Sequence, residues 1–387
     1  MAEADNSLFP HLTTEQVSPR TTGILPAQTI RELIAGGRIR ASEAITEEQI
    51  QPASIDLRLG EVAYRVRASF LPGQDSTVQD KVSALLITRV DLTGGGVFEP
   101  GSVYIAPLME ELRLPKNVEA KANPKSTTGR LDIFTRLITD YGTEFERVRP
   151  GYTGKLFAEI VSRTFTLQVR TGVKLNQVRF IRGNPPSHDG PLAQLDEREN
   201  LVYENEEGPI RAKIDKGLRI SVRLNAEEET DVVAYRAKKD APVIDFGVRD
   251  FYDPREYWDT VYSVPRRGII LDPGDFYLLA SKEKIRVPPD YAAEMVPYDP
   301  SIGEFRVHYA GFFDPGFGYG LSDVLGTLAV LEVRAHEVPI LVEHGQIVGR
   351  LVYSPMVARP DKIYGVQIGS SYQMQGLALS KQFKRWP

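Results

Sequence analysis

Hydrophobic positions change period early in the chain. Between Pro26 and Gly37, Ile30, Leu33 and Ile34 recur at helical spacing and Gly36-Gly37 supplies a stop, which predicts a helix. Beyond it the apolar runs are short, β-branched or alternating, and bounded by Gly, Pro or Asn. They predict strands over Ser54–Val66, Val103–Pro107, Leu156–Val161 and Phe165–Val169. The chain therefore reads as mainly β with a few short helices.

The strand pattern repeats. GGVFEPGSVYIAP, with Glu99-Pro100-Gly101, resembles RGIILDPGDFYLLA, with Asp272-Pro273-Gly274, at a shift of 272 − 99 = 173. That shift carries LRLP at Leu112–Pro115 onto IRVP at Ile285–Pro288, FAEIV around Glu159 onto VLEV around Glu332, and Gly172 onto Gly345. VAYR occurs at Val62–Arg65 and again at Val233–Arg236. The constant order favours a duplicated β domain over chance reuse of Pro-Gly turns. Residues 1–24 read as an extension, 25–183 as a first domain, 184–209 as a Pro-, Gly- and acid-rich linker, and 210–387 as a second domain with a C-terminal tail.

Composition narrows the classes. A chain of 387 residues exceeds what one core usually organises. Hydrophobic residues at 42% and interspersed charges at 26% fit a globular protein, with no membrane-length apolar run. A net charge of −5 argues against coating a nucleic acid polymer, though a local basic pocket for one anionic ligand is compatible with it. The N-terminal MAEADNSLFPHLTTEQ lacks the order of a secretory signal, so a cytoplasmic location is expected. With no cysteine, disulfides and thiolate zinc sites cannot be built. His11, His188, His308, His336 and His344 show no HExxH spacing, and no protein-ligated metal is expected.

Three segments carry candidate chemistry. Lys125-Ser126-Thr127-Thr128-Gly129-Arg130 joins two cations, three hydroxyls and a glycine, a set suited to phosphate oxygens and equally compatible with a solvated polar loop. It lacks the order of a Walker loop. Glu332 lies in the apolar run Leu328-Ala329-Val330-Leu331-Glu332-Val333. Burial there would raise its pKa toward neutrality and suit a general acid/base, whereas strand alternation could turn it to solvent. The third segment, His308 to Gly318, reads as a hairpin rich in Gly, Pro and aromatic residues.

IQPASIDLRLG at Ile50–Gly60, the KSTTGR run, AVLEV at Ala329–Val333 and SSYQMQGLALSK at Ser370–Lys381 together resemble the dCTP deaminase family of the dUTPase-like superfamily. The resemblance implies two tandem dUTPase-like distorted β-barrel or jelly-roll domains. It assigns Lys125 and Thr127 to phosphate, Thr128 to the substrate-binding residues, Ser126 and Arg130 to the catalytic end, and Glu332 to general acid/base catalysis. It also implies that Ala310 and Gly311 read the base, that Asp314 accepts the 3′-hydroxyl, and that Val330 and Leu331 line the nucleotide. Tyr364, Tyr372 and Gln375 match nucleotide-contacting positions of a closing tail, while Ser371 stands where the pattern has a Lys. The His308-to-Asp314 interval is one residue shorter than the pattern.

The two copies differ in what they keep. The first keeps the phosphate run, but its hairpin reads GTEFERVRPGYTG, with Arg149 at the place of Asp314. The second keeps hairpin and glutamate, but Tyr298-Asp299-Pro300-Ser301-Ile302-Gly303 replaces the phosphate run. One composite site is expected, acting on a deoxycytidine nucleotide to give its uridine counterpart and ammonia without protein-bound zinc. Mg2+ would come with the triphosphate. A dUTP pyrophosphatase, a bifunctional enzyme and a non-catalytic nucleotide sensor are the rivals. A homo-oligomer is among the assemblies the resemblance allows.

Overall fold

The computed structural model describes residues 20–204, 208–225, 232–262, 268–297, 306–308, 311–319, 325–335, 337–365 and 376–386. The molecule is mainly β, with helices at Ala27–Ala35, Val78–Leu85, Ser126–Gly129 and Asp189–Glu199 among the described residues. The first helix has Pro26 at its N-cap and Gly36 at its C-cap, and buries Ile30. The apolar stretch Ser54–Val66 divides into two strands. Ile55–Arg58 pairs with Lys174–Arg182 in one sheet, and Val62–Val66 with Val103–Arg113 in another. At the crossing the Gly60 amide donates to the Pro107 carbonyl at 2.9 Å, where an added Cβ would come within 3.0 Å of that oxygen.

The duplication is visible in the strand register. Ile105 faces Glu159 across one antiparallel pair, and Leu278 faces Glu332 across the other, each residue 173 positions from its counterpart. Phe98 opposite Leu167 matches Leu271 opposite Ile340, and Ala120 opposite Phe180 matches Ala293 opposite Tyr353. Side chains alternate faces along a strand, so this shared register puts Glu159 and Glu332 at the same place in each copy. The turns at Gly101 and Gly274 have φ of 76° and 75°, a left-handed conformation that a Cβ would strain.

One core cluster runs across both halves, and the second half has a further core of its own. Phe165 of the first half packs on Trp258 of the second with ring centroids 5.5 Å apart, and Leu167–Val169 pairs in parallel with Ile244–Asp245. Lys121 and Glu294, equivalent positions of the two copies, form an ion pair at 2.7 Å. Between the copies, Asp189–Glu199 is helical, with Leu192 and Leu195 buried against the second half. Its Asp196 carboxylate accepts the amides of Leu201 and Ala212, each at 3.0 Å. No helix among the described residues is long and apolar enough to cross a membrane.

Candidate active site at the junction of the two copies

The strand Val118–Pro124 delivers the chain to Lys125, which caps the short helix Ser126–Gly129 and leaves Arg130 at its end. From the second copy, the strand Thr327–Arg334 presents Glu332 to that helix. The approach is close: a Cβ on Gly129 would lie 2.7 Å from Glu332 Oε1 and 2.8 Å from Oε2. Glycine here lets the carboxyl rest on the helix backbone.

A cavity of about 870 Å³ opens between these walls. Lys125, Ser126, Thr127 and Arg130 line it from the first half. Gly311, Asp314, Val330, Leu331, Glu332 and Tyr364 line it from the second. Ten of the fourteen residues singled out in the sequence therefore meet around one space. Thr128 does not join them. It is fully buried, and its hydroxyl donates to the Leu175 carbonyl at 2.9 Å because the helical turn points it inward. Ala310, Tyr372 and Gln375 lie outside the described residues, as does Ser371.

Glu332 is 7% exposed. Burial pushes its carboxyl well above the usual range; the Arg130 charge pulls it down and the Asp132 charge pushes it up. No donor among the described residues hydrogen-bonds the carboxyl. Its counterpart Glu159 is fully buried but takes Arg136 Nε at 3.0 Å and Nη2 at 2.5 Å. One copy thus keeps a carboxyl with no hydrogen-bond donor among the described residues, and the other holds its carboxylate in an ion pair.

Neighbouring groups fix the geometry. Arg130 Nη1 donates to the carbonyls of Ala378 (3.1 Å) and Leu379 (3.4 Å), so the C-terminal segment steadies the guanidinium. The Ser380 hydroxyl donates to the Thr127 carbonyl at 3.1 Å. Behind the pair, the buried Asp132 carboxylate accepts from Arg334 and, at 2.6 Å, from the Thr164 hydroxyl. Since 130 and 132 belong to the first half and 332 and 334 to the second, this ion pair clamps the two walls together.

Two sequence-derived expectations acquire unforeseen partners. Lys125 Nζ sits 2.5 Å from both carboxylate oxygens of Asp56, which lies within the IQPASIDLRLG motif. Asp314 is buried against Arg179 at 3.3 Å, and that guanidinium also donates to the Ala293 carbonyl at 3.1 Å and stacks on Phe312 at 4.0 Å. Burial pushes the Asp314 carboxyl up and the Arg179 guanidinium down. Strand pairing sets Arg147 on Lys121 and Phe312 on Glu294, so Arg149 does occupy the place of Asp314. The backbone of His308 pairs with Glu332. Lys174, Arg249 and Lys381 also line the cavity and were not singled out in the sequence, although Lys174 follows the repeated Gly172 and Lys381 closes the SSYQMQGLALSK motif.

Such a cavity, lined by several cations and holding a buried carboxyl of raised pKa, has the character of a ligand-binding site on a dUTPase-like β scaffold. Residues 21–184 match the model of the 2′-deoxycytidine 5′-triphosphate deaminase N-terminal domain, and residues 188–383 match that of its C-terminal domain. The crystal structure of 2′-deoxycytidine 5′-triphosphate deaminase from Agrobacterium tumefaciens is 48% identical with a TM-score of 0.82, covering 88% of this chain and 100% of that one. Curated relatives named "dCTP deaminase, dUMP-forming" match about half of the chain. That of Beutenbergia cavernae is 25% identical over 191 residues, 49% of this chain and 94% of its own. That of Methanosphaera stadtmanae is 26% identical over 201 residues, 51% and 96%. The chain belongs to the dCTP deaminase family.

Proposed function

We propose that the protein deaminates dCTP to dUTP and ammonia by hydrolysis of a C–N bond of the cyclic amidine, in one composite site per chain. The observation that carries this reading is the buried Glu332, whose carboxyl no donor among the described residues holds, against the Gly129–Arg130 corner of the other copy. Water must become a nucleophile at C4 of cytosine, N3 must gain a proton, and the departing amine must gain another. A carboxyl whose pKa burial has raised well above its ordinary value can accept the water's proton and return it to the base. Ser126, Arg130 and the carbonyl of Ala310 position the water and the tetrahedral adduct. Asp314 takes the 3′-hydroxyl, Val330, Leu331 and Gly311 border the base, and Tyr364, Tyr372 and Gln375 border the nucleotide from the tail. Lys125 and Thr127 face phosphate, and magnesium arrives on the triphosphate. Both walls come from one chain, so a homo-oligomer is not needed to build the cavity. A cytoplasmic location suits a nucleotide substrate.

Some curated relatives carry "dUMP-forming" in their names. Here Asp314, the carboxylate that would activate water at an α-phosphate, is engaged by Arg179. This supports dUTP as the product. Incubation of the protein with dCTP, with ammonia and nucleotides quantified, tests the reading. Equal yields of ammonia and dUTP are expected, dUMP would overturn the product assignment, and binding without ammonia would indicate a sensor. Glu332→Gln is expected to abolish ammonia release while dCTP still binds; persistent turnover would remove Glu332 from the proton path.

A further inference from the structure

Lys125, the cation expected to hold phosphate, is already engaged. Both oxygens of the buried Asp56 carboxylate lie 2.5 Å from its ammonium. At the tail, Ser371 replaces the lysine of the family pattern. A triphosphate carries about four negative charges and needs cations that are not already neutralised.

Besides Arg130, which bonds the tail carbonyls, and Lys362, which pairs with Glu47, three further cations line the same cavity. Lys174 opens the strand Lys174–Arg182 just after the turn at Gly172. Arg249 follows the strand Ile244–Asp245 on an exposed loop. Lys381 lies in the C-terminal segment. None of the three forms an ion pair with a described residue. Lys381 is held by its neighbours: its carbonyl accepts the Asp250 amide at 2.9 Å, Ser380 bonds Thr127, and Gln382 donates to the Phe246 carbonyl at 2.9 Å. These contacts bring the tail, the 246–250 loop and the phosphate run to one end of the cavity.

We propose that Lys174, Arg249 and Lys381 form a cationic clamp for the outer phosphates of the nucleotide, making the site selective for a triphosphate over a monophosphate. The clamp rests on the deaminase reading for the identity of the nucleoside, while its affinity for polyphosphate stands independently. Unpaired like charges sharing a cavity repel one another, and a bound polyanion relieves that repulsion. The effect is visible at Lys381, whose ammonium is pushed down to about 8 by burial and by the charges of Arg249, Lys125 and Lys174, with Asp56 opposing them. A bound polyphosphate favours the protonated lysine, so affinity falls as pH rises through about 8.

Calorimetric titration of the full chain with inorganic triphosphate, dCTP and dCMP, on wild type, Arg249→Gln, Lys174→Gln and Lys381→Met, tests the clamp. Each variant is expected to weaken inorganic triphosphate and dCTP about tenfold, the scale of one charge-assisted hydrogen bond, while dCMP changes less than threefold. Lys381→Arg is expected to restore affinity and to abolish its decline between pH 7 and 9. Arg249 is exposed, so its variant keeps the test valid if another fails to fold. Wild-type affinity for triphosphate in the variants, or equal losses for dCMP, would overturn the clamp even if dCTP were deaminated. Conversely, absent ammonia release with the expected triphosphate losses would overturn the deaminase reading and leave the clamp in place.

Discussion

Gly129→Ala isolates the position of the Glu332 carboxyl from the stability of the fold. The new methyl would sit 2.7 Å from Oε1 and 2.8 Å from both Cδ and Oε2. Comfortable contact between heavy atoms begins near ~3.5 Å, so the carboxyl must retreat by roughly 0.7 Å. Because the colliding atoms are the far end of a flexible side chain, the retreat costs little folding energy. Gly129 is helical, and alanine there favours the folded state by up to about 1 kcal/mol. Catalysis responds differently, since a misplacement of about 1 Å at a reacting group costs on the order of 100-fold. At about 1.4 kcal/mol per decade this is roughly 2.7 kcal/mol of transition-state stabilisation. The expected outcome is a melting temperature equal to or above wild type, with kcat/KM for dCTP reduced about 100-fold. Ammonia release by a coupled assay and thermal unfolding by circular dichroism read the two quantities on one preparation. A stable variant within threefold of wild-type kcat/KM would refute the placement of Glu332 at the reacting centre.

Breaking the Asp132–Arg334 clamp with Asp132→Asn should cost about 3–5 kcal/mol in chemical denaturation, because a buried guanidinium loses its charged partner. Residual activity in Asp132→Asn should show its acid limb at lower pH, since the Asp132 charge raises the Glu332 carboxyl. Glu146 titrates in the opposite sense from a surface acid: burial raises its carboxyl from 4.5 to about 8, so its contribution to stability is full below about pH 4.5 and is lost as pH rises through 8. Melting temperature should therefore fall more steeply between pH 5 and 8 in wild type than in Glu146→Gln; parallel profiles would refute the assignment.

Much of the scaffold was legible because repeats and alternation are local properties. Glu159 and Glu332 could be superposed by counting, and the strand register bears that out. Glu332 was legible as an acid inside an apolar strand, and its burial has the predicted effect on its carboxyl. The inward turn of the Thr128 hydroxyl was not legible, because the direction of a hydroxyl within a single helical turn is not set by composition. Asp132, Arg179, Arg249 and Lys381 carried no periodic signal. A charged residue bound for a buried clamp looks the same in one dimension as one bound for solvent, and the partners here come from the other half of the chain.

Duplication also explains how one polypeptide holds a single site without strain between redundant parts. Each copy retains a glutamate at the same register, so neither lost the position. What changed is the surroundings. Arg136 donates through both Nε and Nη2 to one oxygen of Glu159, which ties that carboxylate into an ion pair. Arg149 stands where the second copy has Asp314, replacing an acceptor by a cation. The second copy surrendered its phosphate run, so its glutamate needs the helix Ser126–Gly129 of the first as its other wall. Once the copies divide in this way, the surfaces that bring them together also set the shape of the cavity between them. The Phe165–Trp258 packing, the Lys121–Glu294 pair and the Asp132–Arg334 clamp hold the geometry of the proposed site as well as the fold.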